Sequence, residues 1–68
     1  MASVAVAKHP ADSDLVLFIN DEGKYWIGCF DSRVTRHDGE PPFHYIDGIF
    51  DTVEEGIAVL FSKIPMTN

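Results

Sequence analysis

Between residues 37 and 62 the chain has no lysine and no arginine. Its 68 residues include one cysteine, no long uninterrupted apolar run and no glycine-rich loop. Each scarcity excludes something. With Cys29 alone, no intramolecular disulfide can form, and a reducing, cytoplasmic setting is expected. A membrane-spanning helix needs about 18 or more apolar residues in succession, so no membrane partner is expected. Met1 to Ala7 is small and apolar but lacks a basic n-region and a long h-region, which argues against a secretory signal. Gly23, Gly28, Gly39, Gly48 and Gly56 are scattered and cannot form a phosphate-cradling loop. Lys8, Lys24, Arg33 and Arg36 are offset by neighbouring acids, so no basic face is available for direct contact with nucleic acid.

What the stretch 37–62 does contain is acid. Asp38, Glu40, Asp47, Asp51, Glu54 and Glu55 match in number the whole formal charge of −6. Before that stretch acids and bases nearly balance, with Asp12, Asp14, Asp21, Glu22 and Asp31 against the four bases just named. A one-signed block on an otherwise balanced small domain attracts basic partners and repels nucleic acid. These six acids are the candidate partner-binding residues. A chain of this size supports one domain, near the lower limit for a self-sufficient core. Its 46% hydrophobic content is too high for a disordered acidic tail.

Along the chain, residues 1–14 read as a leader, either flexible or an edge strand built from residues 3–7. It ends in the turn-forming cluster His9-Pro10-Ala11-Asp12-Ser13-Asp14. Residues 15–64 form the domain. Leu15-Val16-Leu17-Phe18-Ile19 and Lys24-Tyr25-Trp26-Ile27-Gly28-Cys29-Phe30 are β-branched and aromatic runs separated by Asn20-Asp21-Glu22-Gly23. That spacing predicts a hairpin whose turn places Gly23 in the left-handed conformation. The register then sets Ile19 against Tyr25, Phe18 against Trp26 and Leu17 against Ile27. Residues 31–42 are a polar loop marked by Asp38-Gly39 and Pro41-Pro42. A third strand follows over residues 43–50, bent at Gly48.

The last element is a helix over 52–64. Thr52-Val53-Glu54-Glu55 fits a capping box, and Asp51, Glu54 and Glu55 suit the positive end of the helix dipole. Val53, Ile57, Leu60, Phe61 and Ile64 recur at helical spacing, which predicts one buried stripe with Ile57 and Leu60 at its core. Gly56 lowers helix propensity and is explained if the helix approaches the sheet closely. Pro65 ends the helix and residues 65–68 are tail. The predicted class is α+β: an antiparallel sheet of three strands, four if residues 3–7 join, with one C-terminal helix on one face.

The hairpin register makes both sheet faces apolar. One carries Leu15, Leu17, Ile19, Tyr25, Ile27 and Cys29; the other carries Val16, Phe18, Trp26 and Phe30. A half-exposed sheet would alternate apolar with polar residues, and one helix covers only one face. The aliphatic face is the better match for Val53, Ile57, Leu60 and Ile64. The other face is then expected to expose Phe18 and Trp26 side by side, as self-association residues of a homodimer; the alternative is that the N-terminal leader or the 31–42 loop folds over it.

Three constellations invite chemistry and are set aside. His37, Asp38, Glu40 and His44 are ligand-type side chains but straddle Pro41-Pro42 and follow no metal-site spacing. Cys29 paired with a distant His would be a nucleophile and base, yet it sits mid-strand without a cation to lower its pKa. Asp47, Asp51, Glu54 and Glu55 could pair carboxylates, but helix capping already accounts for several of them. Tyr25 and Trp26 could stack bases, though no cations accompany them. No catalytic residue, metal or cofactor is expected.

The pieces 15–19, Asp21-Glu22-Gly23-Lys24-Tyr25-Trp26, Gly28-Cys29-Phe30 and Asp51-Thr52-Val53-Glu54-Glu55-Gly56-Ile57-Ala58 together resemble the N-terminal domain of HicB-type antitoxins. They cover about half the chain. The resemblance implies a partial RNase-H-like β-β-β-α unit that oligomerises and covers a small basic RNase toxin. Two departures accompany it: a longer 31–42 loop replaces a proline-and-glycine segment, and the family's C-terminal DNA-binding domain has no counterpart here. The expected function is a small, acidic, non-catalytic module that binds or inhibits a basic, nucleic-acid-acting protein. An antitoxin and a phage-type counter-defence inhibitor both fit. The alternative is a self-associating structural subunit whose acids only keep it in solution.

Overall fold

A computed structural model describes residues 3–34 and 42–63. Four strands, β1 (Val4–His9), β2 (Asp12–Ile19), β3 (Tyr25–Phe30) and β4 (Phe43–Phe50), precede one helix, α1 (Val53–Ser62). The strands form an antiparallel meander in the order β1-β2-β3-β4. The helix lies across one face and touches all four strands. The fold is therefore α+β, with residues 4–9 supplying the fourth strand. Among the described residues no helix is long and apolar enough to cross a membrane.

The β2–β3 hairpin has the register its turn dictates. Leu17 faces Ile27, Phe18 faces Trp26 and Ile19 faces Tyr25. In the turn Gly23 has φ of 80°, its N–H donates to the Asn20 carbonyl, and Asn20 N–H donates to the Lys24 carbonyl. The other hairpin begins earlier than the breaker cluster implies. Its turn is confined to Pro10 and Ala11, and Asp12, Ser13 and Asp14 already belong to β2, with Asp12 paired to His9. Strand β4 carries two irregularities. Tyr25 pairs with Phe50 and Trp26 with Gly48, leaving Ile49 as an extra residue; Ile46 is extra between Asp47 and Tyr45. Both bulged isoleucines are exposed, as bulges on an edge strand allow.

The helix covers the aliphatic face. Leu15, Leu17, Ile27, Phe50 and Leu60 form the core, flanked by the half-buried Val53, Ile57 and Val59. The contact is centred on Gly56, where a Cβ would lie 2.8 Å from Leu17 Cδ1 and 3.0 Å from Cδ2. Gly56 and Leu60, one turn apart, thus define the buried line. Two stripe expectations are corrected. Phe61 is 52% exposed, because it lies about 100° around the helix from Leu60 and reaches only the edge of the His9 ring. Ile57 flanks the contact and is not its centre. The helix ends at Ser62 with Lys63 as its cap, and Ile64 lies outside the described residues.

The helix C-terminus has no basic residue in its last turn, and β1 supplies the missing donor. The Ala11 N–H donates to His9 Nδ1 at 3.0 Å, which leaves the proton on Nε2 to bond the Lys63 carbonyl at 2.6 Å. The imidazole is 7% exposed. It ties the edge strand to a backbone group that the helix cannot satisfy internally.

Leu60→Ala should destabilise the domain by about 2–5 kcal/mol, and Ile57→Ala by less, as read from urea midpoints. Gly56→Ala should lower the midpoint despite its better helix propensity, because the added methyl displaces a fully buried leucine. In a Leu17→Ala background the same Gly56→Ala change should raise the midpoint. Equal effects in both backgrounds would show that the helix does not rest on Leu17.

Candidate functional site

An antiparallel meander returns β4 to the end where β2 turned into β3, so the helix begins beside the hairpin turn. Thr52 caps it in extended conformation, its hydroxyl accepting from Glu55 N–H at 3.1 Å. The Glu55 carboxylate reaches back to Asp51 N–H at 3.4 Å, one residue before the cap. Asn20 Oδ1 holds the turn by accepting from the N–H groups of Glu22 and Lys24. Lys24 Nζ then meets Asp51 Oδ1 at 2.7 Å. That bridge pins the turn to the helix start. Asp21 and Glu22 thereby join Asp51, Glu54 and Glu55 at one end of the molecule. All five acids are exposed.

The electrostatics of this end centre on one cation. The Asp51 carboxylate, by hydrogen bond and by charge, raises Lys24 above its ordinary pKa, with Glu22 adding to it. The Lys24 ammonium in turn holds Asp51 below the usual carboxylate value. A depressed carboxylate is the opposite of what a general acid needs. The arrangement presents negative charge at one end of the molecule.

The six acids singled out from the sequence are divided by the fold. Asp51, Glu54 and Glu55 are brought together. Asp47 lies mid-strand opposite Ile27, accepts from Gly48 N–H and pairs with Lys63 at 3.3 Å beyond the helix C-terminus. Asp38 and Glu40 lie outside the described residues. Asp21 and Glu22 were not among the six, although a hairpin turn beside a helix start follows from meander topology.

The remaining constellations resolve differently. Of the four ligand-type side chains between residues 37 and 44, His44 alone is within the described residues, and its Nδ1 lies 3.6 Å from Asp31. No group of three or more metal-ligating side chains occurs among the described residues. The β3–β4 register does place His44 directly opposite Cys29, an adjacency the sequence spacing hides. Burial pushes the Cys29 thiol up, and Asp14, Asp12 and Asp31 push it further. Its surroundings thus favour the thiol over the nucleophilic thiolate. Asp31 itself is held low by hydrogen bonds from the Arg33 side chain and backbone.

The face without a helix is aromatic. Phe18 stacks under Trp26 at 4.6 Å between ring centroids and meets Phe43 edge-on at 4.9 Å. Phe30 continues the row beside Phe43, and Tyr45 lies beside Trp26. Phe18 is only 2% exposed, which corrects the expectation of two exposed rings side by side. Its cover comes from neighbours on its own face, Trp26 above all. Trp26 is half-buried and donates its indole N–H to Ser3 Oγ at 3.1 Å. Beside the rings runs a groove of about 490 Å³, with Val16 and Phe18 in its lining, Phe30 and Phe43 along it, and Lys8 and Asp14 at its rim.

Asp51 has a lower pKa folded than unfolded, so its pairing contributes stability above the unfolded carboxylate pKa. That contribution is lost as pH falls through the folded value. Lys24→Met should therefore flatten the acid limb of the stability–pH curve, and its effect should shrink in high salt because the pair is exposed. An unchanged acid limb would show that the bridge is not formed in solution. Comparison of the chain with family models, with curated proteins and with solved structures found no match.

Proposed function

We propose that this chain is a non-catalytic protein-binding domain whose acidic end engages a basic surface on a protein that acts on nucleic acid. The observation that supports this reading is that the Lys24–Asp51 bridge joins the turn carrying Asp21 and Glu22 to the helix start carrying Asp51, Glu54 and Glu55. None of the ion pairs among the described residues engages Asp21, Glu22, Glu54 or Glu55. Their charge is available to a partner. A rigid, capped helix end and a hydrogen-bonded turn hold the acids in a fixed pattern, so little ordering accompanies binding. Carboxylates clustered this way offer a cationic partner a phosphate-like field. An antitoxin-like inhibitor of an RNase and a phage counter-defence inhibitor both use that chemistry. The proposed setting is the cytoplasm.

The test is capture from host lysate at low salt, followed by binding measurements with the captured protein. Glu22→Lys combined with Glu54→Lys reverses charge at two exposed positions and spares the cap residues Thr52 and Glu55. Asp47 is left alone because reversing it would set two lysines against each other at residue 63. Like-charge juxtaposition at an interface costs several kcal/mol, so the double variant should lose a micromolar complex while keeping its far-UV spectrum. Affinity and salt dependence equal to wild type would sink the proposal.

A further inference from the structure

The sheet is apolar on both faces; α1 covers one, and among the described residues no helix or strand lies over the other. We propose that the uncovered aromatic face packs against the same face of a second copy about a two-fold axis. The product is a four-layer sandwich, helix–sheet–sheet–helix, with the acidic ends left on the outside.

Size supports this pairing. The molecule is a slab of 34 × 29 × 14 Å, its thin dimension holding one helix layer and one sheet layer. Its broad face is of the same order as the ~800 Å² per partner that standard interfaces bury. Sheets stack about 10 Å apart with interdigitating side chains. Phe30 at 44% exposure projects beside Phe43, and Tyr45 at 56% beside the half-buried Trp26, ready to meet such a surface. Aromatic residues with few charges are the composition of interface centres.

Charge supports it further. Two copies each carrying −6 repel, so a contact between them has to use a region where the charges balance. The groove does, with Lys8 and Asp14 both in its lining. In a two-fold contact residue i meets j and j meets i. Lys8 of one protomer beside Asp14 of the other, made twice, is therefore complementary to itself. A basic protein would gain nothing here, since one cation and one anion cancel. The inference is independent of the acidic end, and each can fail without the other.

The experiment is sedimentation equilibrium of the full chain over micromolar concentrations. The wild type should show twice the chain mass. Lys8→Asp alone and Asp14→Lys alone should each weaken self-association about tenfold or more with unchanged far-UV spectra, because both side chains are exposed. An equimolar mixture of the two variants should regain the doubled mass, since each supplies the charge that the other needs. An ion pair within one chain cannot produce that recovery. Phe30→Ser, at an exposed ring, should also weaken the dimer. The inference is overturned by a wild type that sediments at the chain mass. It is equally overturned by variants that all stay dimeric, or by a mixture that stays monomeric.

Discussion

The spacing between helix and sheet is set where Gly56 meets Leu17. With no side chain at 56, the helix backbone settles onto the two leucine methyls, and that approach decides what else can be buried. It brings Leu60 onto Ile27 and Leu15, leaves Val53, Ile57 and Val59 as flanks, and turns Phe61 outward. It also places the helix start close enough to the β2–β3 turn for Lys24 to reach Asp51. Core, capping and the acidic end thus share one geometric origin. The loss in helix propensity at Gly56, roughly 1 kcal/mol relative to alanine, is offset by packing that no larger residue permits.

The second face poses the opposite problem. Val16 and Phe18 are as well buried as the core residues, at 3% and 2% exposure, yet among the described residues no secondary-structure layer lies over them. The indole of Trp26 lies across Gly28, whose missing side chain leaves room for the ring, and Phe43 closes the other flank. Aromatic pairs of this geometry contribute beyond the area they bury. The arrangement hides Phe18 by placing other rings at the surface.

Much of the fold was legible in the sequence because its signals are local. Asn20 to Gly23 specify a turn, the turn specifies the register, and Thr52 with Glu55 specify the helix start. The choice of face was only favoured, because aliphatic side chains on α1 match the aliphatic side of the sheet while the other side is apolar as well. What escaped depends on non-local contact. Residues 3–7 left a flexible leader and an edge strand both open, and pairing with β2, with His9 tied to Lys63, decides for a strand over 4–9. Phe61 fits the helical period, but the period does not show which line Gly56 will seat. The burial of Phe18 depends on Phe43, which belongs to a different hairpin. Asp21 and Glu22 reach the acidic end, and Asp47 is drawn to Lys63, only once β4 has returned along β3.

The His9 imidazole joins residues 54 positions apart, the first strand to the end of the last helix. Contacts of such long sequence separation carry a loop-closure cost before they repay it. During synthesis the β1–β2 and β2–β3 hairpins emerge well before residue 63 can. Until then Leu15, Leu17 and Ile27 lack the leucine that caps them, and the aliphatic sheet face stays bare. Closure of the core therefore waits until residues 60–63 are available to pack. The interval in which that core is open runs from the formation of the hairpins to the docking of α1.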